Sequence, residues 1–436
     1  MYTCGPTVYN YMHIGNFRTF FLSDTLVRTL EFNGYKVKHI MNLTDLGHLT
    51  DDNDDGEDKM EVAADKEGKS AKEVADFYIK SFMKDYELLN LKKPHKFTRA
   101  TDYIKEMIEL IQRLEKRGFT YEISDGIYYD TSRFEDYWKM SGLTPETIKE
   151  GARVEANVQK RNPADFALWK FSPIGIKRWQ EYDSPWGVGF PGWHIECSAM
   201  AMKELNESID IHVGGEDHKM IHHPNERAQS EGATGKTFVN YWVHGTHLQV
   251  DGGKMAKSLG NFYTISDIQA KGYSPMDLRY FYTTAHYRSS LNFTWESLQS
   301  AQNSLKKMYD LISGYKETDE VEPDETQVKK FNEAILNDLN LPKAMSMVWE
   351  VLKSSLDESV KILTVLKMDE LLGLGIEDYV GFQIPKKVQN LAKMRWEYRR
   401  QGIFDKADMM RREISEMGFE IEDGKNDYKV KRKLRV

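Results

Sequence analysis

The hydrophobic pattern at the start of the chain predicts a strand, a helix and a second strand. Residues 2–9 form a short strand pattern, residues 17–32 carry apolar side chains at helical spacing, and residues 36–43 form another strand pattern. This order is typical of the beginning of a parallel α/β domain that binds a nucleotide.

The α/β pattern is interrupted and then resumes. Helical spacing covers residues 59–89 and 102–116, and residues 121–130 predict a hairpin with Asp125-Gly126 at its turn. Between residues 119 and 192 the pattern is too broken for a separate core, so we interpret this stretch as an insertion. A buried-type strand follows at residues 209–217, with a helix from about His218 and another strand pattern over residues 239–250.

Beyond Asp277 the pattern contains helices and no strands. Residues 295–315, 325–339, 342–353 and 358–372 have helical spacing and predict a bundle, and basic helices are predicted at residues 385–400 and 405–417. The predicted organisation is an α/β domain over residues 1–270 with an insertion at about 92–192, a helical bundle over residues 271–375, and a small basic domain over residues 376–436.

Composition fits a soluble globular chain of several domains. Of its 436 residues, 40% are apolar and 29% are charged. No apolar run approaches the roughly 20 residues of a membrane span, and the start lacks a signal-peptide pattern, so we predict a cytoplasmic protein that does not bind membranes. Residues 386–436 carry fifteen Lys and Arg against nine Asp and Glu, whereas the whole chain has a net charge of −8. A local contact with a polyanion is therefore expected at this end.

Four scattered residues form a candidate metal site. The chain has two cysteines, Cys4 and Cys197, and His222 and Glu226 are four residues apart, which places them on one helix face. Together they offer two sulfurs, a nitrogen and an oxygen, a donor set that suits tetrahedral zinc. The alternatives are a small buried thiol at Cys4, a long-range disulfide, and an exposed His/Glu helix face.

Two further motifs suggest phosphate chemistry. His13-Ile-Gly-Asn16 lies where a strand pattern turns into a helix pattern, and helix starts attract anions. Lys254-Met-Ala-Lys-Ser258 follows two glycines, and lysines on a mobile loop can meet the charge that develops on a triphosphate. A tight turn and a solvated basic loop are the respective alternatives.

These two motifs resemble the signatures of class I aminoacyl-tRNA synthetases, and the chain as a whole resembles the cysteinyl-tRNA synthetase family. The likeness continues in family order through residues 1–9, 42–45, 160–170, 191–198 and 222–226. It implies a Rossmann-like catalytic domain with an inserted connective region, a helical bundle that contacts tRNA, and a basic domain of the anticodon-binding type.

The resemblance also assigns roles to individual residues. It implies zinc ligands at Cys4, Cys197, His222 and Glu226, and catalytic signature residues at His13, Asn16, Lys254 and Lys257. ATP would further contact Gly15, Gly214, Gly215 and Asp217. The substrate cysteine would lie near Gly5, Thr44 and Trp193, and candidate tRNA contacts are Arg395, Trp396, Arg399 and Arg400.

The implied activity is cysteine–tRNA ligation. Cysteine and ATP, with Mg²⁺, would give cysteinyl adenylate, and the cysteinyl group would pass to tRNA(Cys) on a monomeric enzyme that holds one Zn²⁺. The insertion is too small and irregular for an editing domain. Two alternatives are a ligase that passes cysteine to a small amine, and a catalytically silent paralogue that binds zinc or RNA.

Several positions depart from the family pattern. Asn16 stands in place of His, Ala256 in place of Ser, Val213 in place of Gly, and Pro224 in place of Glu. Most members also carry a short leading segment before the first strand. Its absence here suggests that the first strand lacks a neighbour or that the start is truncated.

Overall fold

The chain forms two compact units. The computed structural model describes residues 1–47, 59–143, 158–173, 178–255, 260–313, 321–381, 384–424 and 427–432, with the backbone alone at residues 59 and 254. The first unit comprises Met1–Glu87, Leu91–Gln249 and Tyr287–Leu291, and the second comprises Leu88–Asn90, Val250–His286 and Asn292–Val436.

A five-stranded parallel sheet is the centre of the first unit. Its strands are β1 (Tyr2–Thr3), β2 (Ile40–Leu43), β3 (Lys96–Arg99), β8 (Ile209–Gly215) and β9 (Val239–Gly245), in the order β3-β2-β1-β8-β9. Every neighbouring pair is parallel. The chain adds β2 and β3 on one side of β1 and then β8 and β9 on the other side. The strand order therefore reverses between β1 and β8.

Helices connect these strands and cover the sheet. They are α1 (Ile14–Phe32), α2 (Lys59–Glu67), α3 (Ala71–Leu88), α4 (Ile104–Lys116), α5 (Trp193–Glu204) and α6 (His222–Thr234). The predicted helix over residues 59–89 is thus two helices, since Gly68 between them has a φ of +62° that ends the first.

The first strand has neighbours on both sides, so the expectation that it lacks one is wrong. Tyr2 and Thr3 pair with Ile40 and Met41 of β2, and with His212 and Val213 of β8. The predicted insertion also begins too early at residue 92, because β3 belongs to the parallel sheet. Its sequence Lys-Phe-Thr-Arg has no apolar run, which is why the pattern does not reveal this edge strand.

The insertion contains a four-stranded antiparallel sheet. Its strands are β4 (Thr120–Ile123), β5 (Gly126–Tyr129), β6 (Phe166–Phe171) and β7 (Gly189–Pro191), in that order. The first two strands form the predicted hairpin. Buried Tyr129, Phe166 and Trp169 lie in the same apolar cluster as Tyr2 and Ile40. The insertion therefore shares its core with the parallel sheet.

The second unit is mainly helical. Its helices are α7 (Ile265–Ala270), α8 (Pro275–Tyr282), α9 (Trp295–Ile312), α10 (Glu325–Leu336), α11 (Leu341–Lys353), α12 (Glu358–Leu372), α13 (Lys386–Arg400) and α14 (Phe404–Glu416). The expectation of no strands beyond Asp277 is wrong. Beyond this residue the chain forms β12 (Leu291–Phe293) and an antiparallel pair, β13 (Phe419–Asp423) and β14 (Tyr428–Arg432). Two further short strands, β10 (Leu248–Val250) and β11 (Gly253–Lys254), precede it. Charged side chains at many positions of the hairpin of β13 and β14 hide the alternation of apolar and polar residues that would have predicted its strands.

The second unit contains most of the predicted bundle and all of the predicted basic domain. The predicted boundaries at residues 270 and 375 stay predictions. Within the described residues, no helix is both long and apolar enough to cross a membrane.

His39 gives the first unit a testable dependence on pH. Its side chain is buried, its Nε2 lies 2.9 Å from Thr3 Oγ1 and 3.3 Å from Ser23 Oγ, and burial lowers its pKa to about 3. The unfolded chain takes up this proton near pH 6.5. The stability that neutral His39 contributes to the fold is therefore fully present above about pH 6.5 and is lost as the pH falls toward 3.

We expect His39→Gln to reduce this sensitivity to acid. At pH 5 the wild type should lose about 2 kcal/mol through His39, a drop of roughly 4 to 8 °C in melting temperature that the variant avoids. Melting curves at pH 7.5 and 5.0 measure it. Equal acid-induced drops in the two proteins would show that His39 does not carry the effect.

Candidate functional site

The candidate residues of the first unit gather at the carboxyl ends of the central strands. Cys4 directly follows β1, Thr44 directly follows β2, and Gly214 and Gly215 end β8. Because the strand order reverses between β1 and β8, a crevice opens there in sheets of this type. The fold therefore places these residues where such sheets bind ligands.

Four buried donor atoms form a cluster beside this crevice. The sulfurs of Cys4 and Cys197 are 4.0 Å apart, Cys4 Sγ lies 3.7 Å from Glu226 Oε1, and His222 Nε2 lies 3.1 Å from the same oxygen. One donor atom from each of these four residues lies within 4.8 Å of all the others. None of the four side chains is more than 6% exposed. The structure thus brings together the four residues predicted as zinc ligands.

Local sequence explains how α6 presents two of these donors. His222 is the first residue of the helix and Glu226 is one turn later on the same face. Pro224 occupies the first turn, where its missing N–H would have no intrahelical partner in any case. The departure at Pro224 is therefore compatible with the helix.

A second histidine orients the His222 ring. His194 Nδ1 lies 2.8 Å from His222 Nδ1, and both rings are buried. This contact occupies Nδ1, so Nε2 is the atom turned toward Glu226. Such outer hydrogen bonds fix the ring of a metal-binding histidine and determine which nitrogen binds.

The electrostatics of the cluster favour the anionic forms of Cys197 and Glu226 and the protonated forms of Cys4 and His222. The hydrogen bond with Cys4 lowers the pKa of Cys197 to about 7 against the opposing effect of burial, while burial raises the pKa of Cys4. Burial alone would lower the pKa of His222, but the Glu226 carboxylate raises it to about 10. His212 and His222 hold the pKa of Glu226 well below its usual range, although burial opposes them. A buried thiolate and carboxylate at one point call for a cation.

Two histidines beside the cluster escaped the sequence analysis. His212 Nε2 lies 2.9 Å from Glu226 Oε2, and His223 Nε2 lies 3.5 Å from Cys4 Sγ. With Cys4 and Glu226 they form a second set of four mutually close donors. The sequence offered two indications of these residues: His212 lies within a strand of the buried type, and His223 directly follows His222. Both positions are equally compatible with core packing.

The first donor set fits zinc. With Zn–S bonds of about 2.3 Å, a tetrahedral ion separates its sulfur ligands by roughly 3.8 Å, close to the 4.0 Å between the two cysteines. Two sulfurs, one imidazole and one carboxylate satisfy the preferences of this ion. Burial of all four also excludes competing water.

The residues predicted around the substrate cysteine lie near this cluster. A Cβ at Gly5 would fall 1.7 Å from the Asn42 carbonyl oxygen, so only glycine fits there. Thr44 Oγ1 donates to the carboxylate of the buried Glu196 at 3.2 Å, and Glu196 directly precedes Cys197. The centroids of the Trp193 and His222 rings are 5.4 Å apart.

The first phosphate motif forms the start of α1. His13 is the N-cap, its Nδ1 accepts from the Asn16 backbone N–H at 3.1 Å, and Asn16 Oδ1 accepts from the His13 N–H at 3.1 Å. Burial lowers the pKa of His13 to about 4. The imidazole is therefore neutral near pH 7, with its proton on Nε2. Asn16 completes the cap and supports the helix start.

The glycines at the end of β8 allow the side chains of His218 and Asp217 to lie close to the backbone of the strand. A Cβ at Gly214 would lie 2.6 Å from His218 Nδ1, and one at Gly215 would lie 2.4 Å from Asp217 Oδ1. Val213, which replaces a family glycine, is fully buried and pairs with Thr3 and Val243. Its side chain therefore packs in the core.

The second phosphate motif is only partly described. The backbone of Lys254 ends β11, while Ala256 and Lys257 lie outside the described residues. The predicted contacts of Lys254 and Lys257 with ATP stay predictions.

The candidate tRNA contacts divide into two kinds. Arg395 is 1% exposed and donates to both oxygens of Asp423 at 2.6 and 2.8 Å, an ion pair that ties α13 to β13. Its prediction as a tRNA contact needs correction, because the guanidinium is buried and already pairs with Asp423 of the same basic domain. Arg399 also binds Asp423 at 2.6 Å, yet 42% of its side chain is exposed, and Arg400 is exposed. The Trp396 ring lies 5.6 Å from that of Tyr428.

Comparison with known proteins agrees with this fold. The family model for the catalytic domain of class I (C) tRNA synthetases matches residues 1–303. A methionyl-tRNA synthetase of Mycobacterium tuberculosis, bound by methionyl-adenylate, has a TM-score of 0.57 at 14% identity, with 86% of this chain and 90% of that chain covered. The LeuRS–tRNA–LeuAMS complex of Agrobacterium radiobacter K84 has a TM-score of 0.60 at 11% identity, with coverages of 86% and 83%.

Fold and catalytic domain thus define a class I aminoacyl-tRNA synthetase, which confirms the predicted fold class. Cysteine–tRNA ligase 1 of Burkholderia lata is 45% identical over 426 residues, covering 97% of this chain and 90% of that protein. The cysteine–tRNA ligase of Treponema denticola is 42% identical over 465 residues, covering 98% and 94%. The chain belongs to the cysteine–tRNA ligase family.

Proposed function

We infer that the chain is a cysteine–tRNA ligase. It activates cysteine with ATP, releases pyrophosphate, and transfers the cysteinyl group to the 3′-terminal ribose of tRNA(Cys). The observation that carries this conclusion is the buried cluster of two thiols, an imidazole and a carboxylate beside the crevice of a class I synthetase sheet. A site with this donor set suits recognition of a substrate by its sulfur.

We propose that Cys4, Cys197, His222 and Glu226 hold one Zn²⁺. When bound, the ion supplies a thiophilic Lewis acid that favours a thiolate ligand over the hydroxyl of serine. Rejection of serine by about 10⁴ requires about 5.5 kcal/mol, more than the slight difference in side-chain shape provides. Thr44 and Trp193 border the same space and orient the amino acid.

The other residues of the site act on the nucleotide. The carboxylate of cysteine attacks the α-phosphate and pyrophosphate leaves, so the protein contributes positioning and charge and no covalent nucleophile. The neutral His13 ring donates through Nε2–H, and the N-terminus of α1 favours the anionic phosphates. Lys254 and Lys257, with Mg²⁺, balance the charge that develops on the leaving group. Gly214, Gly215 and Asp217 receive the adenosine.

The proposal includes the tRNA and the setting of the reaction. Trp396, Arg399 and Arg400 on α13 remain the candidate contacts with tRNA(Cys) in the basic terminal module. A single chain carries both reaction steps, in the cytoplasm, where cysteine thiols stay reduced.

Cysteine-dependent exchange of pyrophosphate into ATP tests the activation step. We expect exchange with cysteine, none above background with serine, and charging of tRNA(Cys) when the tRNA is added. Exchange without charging, with the cysteinyl group found on a small amine, would instead indicate the amine ligase. Absence of exchange from a zinc-loaded preparation would indicate the silent paralogue and overturn the proposal.

Features of the chain count against both alternatives. The likeness to the family extends over the second unit, including the basic helices α13 and α14, which a ligase acting on a small amine would not need. All four donors and the reciprocal cap between His13 and Asn16 are also present, as an active enzyme requires.

A further inference from the structure

A cavity of about 340 Å³ opens on the helical bundle of the second unit. It lies between α9 and α11, and its lining residues are Asn303, Ser304, Lys307, Trp349 and Lys353. Every polar side chain in this lining can donate a hydrogen bond, two carry a positive charge, and none is acidic. The lining therefore selects for an anion.

The two lysines of the cavity are not neutralised. Among the described residues, neither Lys307 nor Lys353 forms an ion pair, and both are exposed. Their neighbour Lys306, one position away on α9, contacts Glu420 and lies 3.5 Å from Glu422. The lysine that faces the C-terminal hairpin is thus paired within the fold, whereas those at the cavity keep their charge for another partner.

Trp349 gives the cavity a rigid aromatic wall. Its Nε1–H donates to the Tyr280 hydroxyl at 3.0 Å, and Tyr280 is buried, so the indole is held in one orientation. Lys353 Nζ lies 5.7 Å from the centroid of this ring. Because the N–H of this half-buried indole already has a partner, the ring can bind a ligand only through its face. Planar bases and sugars are the groups that stack on such a face.

A ribonucleotide unit combines both properties. Its phosphate matches the two lysine ammonium groups, and its base or ribose matches the indole face. An acidic peptide would satisfy the lysines but leave the aromatic wall without a specific partner. On a chain with a net charge of −8, two uncompensated lysines beside an ordered ring are a local site for a polyanion.

We propose that this cavity binds one nucleotide of the tRNA backbone, with its phosphate between Lys307 and Lys353 and its base or ribose on Trp349. This inference rests on the proposed function, because it names a contact for the tRNA substrate. It assigns particular residues to the tRNA contact that the family resemblance implies for the helical bundle.

The test counts the phosphate contact through its salt dependence. Binding of a tRNA(Cys) transcript is measured by fluorescence anisotropy between about 50 and 200 mM salt, a range over which phosphate contacts weaken strongly. Because both lysines contact the same phosphate, we expect Lys307→Gln and Lys353→Gln each to reduce the slope of log K against log salt by less than about 1, and the double variant by about 1. Lys343→Gln, an exposed lysine on the same helix α11, is the matched control and should leave the slope unchanged.

Trp349 variants separate stacking from charge. We expect Trp349→Leu to weaken tRNA binding by roughly 5- to 100-fold without changing the salt slope. Trp349→Phe retains a ring and should recover most of the affinity, which a merely structural loss would not allow. Pyrophosphate exchange should be at the wild-type level in every variant, because the cavity takes no part in activation.

The outcomes distinguish this inference from the proposed function. A double lysine variant with unchanged tRNA affinity, slope and KM in charging would overturn the inference and leave the lysines to an acidic protein. A wild-type chain without cysteine-dependent exchange would overturn the proposed function instead.

Discussion

Replacing Cys197 with serine should remove zinc and cysteine activation together. A hydroxyl at this position keeps the size of the side chain but replaces a soft thiolate with a hard, weakly acidic group, and the remaining three donors bind the ion poorly. Loss of an outer hydrogen bond alone typically weakens a metal site 10- to 100-fold, so loss of a ligand should exceed about 100-fold. Zinc per chain by mass spectrometry and cysteine-dependent pyrophosphate exchange measure the two effects.

Ala199→Ser is the control for this experiment. Ala199 is buried two residues farther along α5, and a hydroxyl there can return its hydrogen bond to the preceding turn of the helix. The control should keep one zinc per chain and wild-type exchange. If Cys197→Ser activates cysteine at the wild-type rate, the zinc assignment is wrong.

Replacing Lys257 with alanine should slow adenylate formation and leave the metal in place. An ammonium that meets the leaving pyrophosphate acts mainly in the transition state, and loss of one such group typically costs about 10²- to 10³-fold in kcat. The KM for ATP should change much less. Single-turnover formation of cysteinyl adenylate, with zinc content measured on the same preparation, tests both expectations.

Lys271→Ala provides the comparison at an exposed lysine. Lys271 is the C-cap of α7, and its Nζ lies 5.6 Å from the Trp295 ring centroid. This variant should form adenylate at the wild-type rate. Loss of zinc in Lys257→Ala would show that the residue has been misplaced, since the four donors of the metal cluster come from other parts of the chain.

Much of the fold could be predicted because periodicity and burial agree in long elements. The predicted helix at residues 358–372 coincides with α12, and Phe17, Phe20 and Phe21 of the first helix are buried as their spacing suggests. The sequence also contained the four donors, because cysteines are scarce here and the His/Glu spacing of four is a helical repeat.

Other features depend on tertiary contacts that no local pattern records. The edge strand β3 has few apolar residues, so only its register against β2 identifies it. Arg395 looks like a surface cation in a basic helix, yet Asp423, 28 residues away, draws it into the module. The part played by His212 beside Glu226 likewise becomes evident only when β8 and α6 meet.

The spacing of the metal donors along the chain also determines when they can act during synthesis. Cys4 is made before the other three donors, and the sulfur it meets is 193 positions later and the carboxylate is 222 positions later. A nascent chain therefore carries one unpartnered thiol for most of the time needed to translate the first unit. Uptake of the ion has to follow closure of the parallel sheet, so arrest of translation before α6 would leave a chain that cannot hold it.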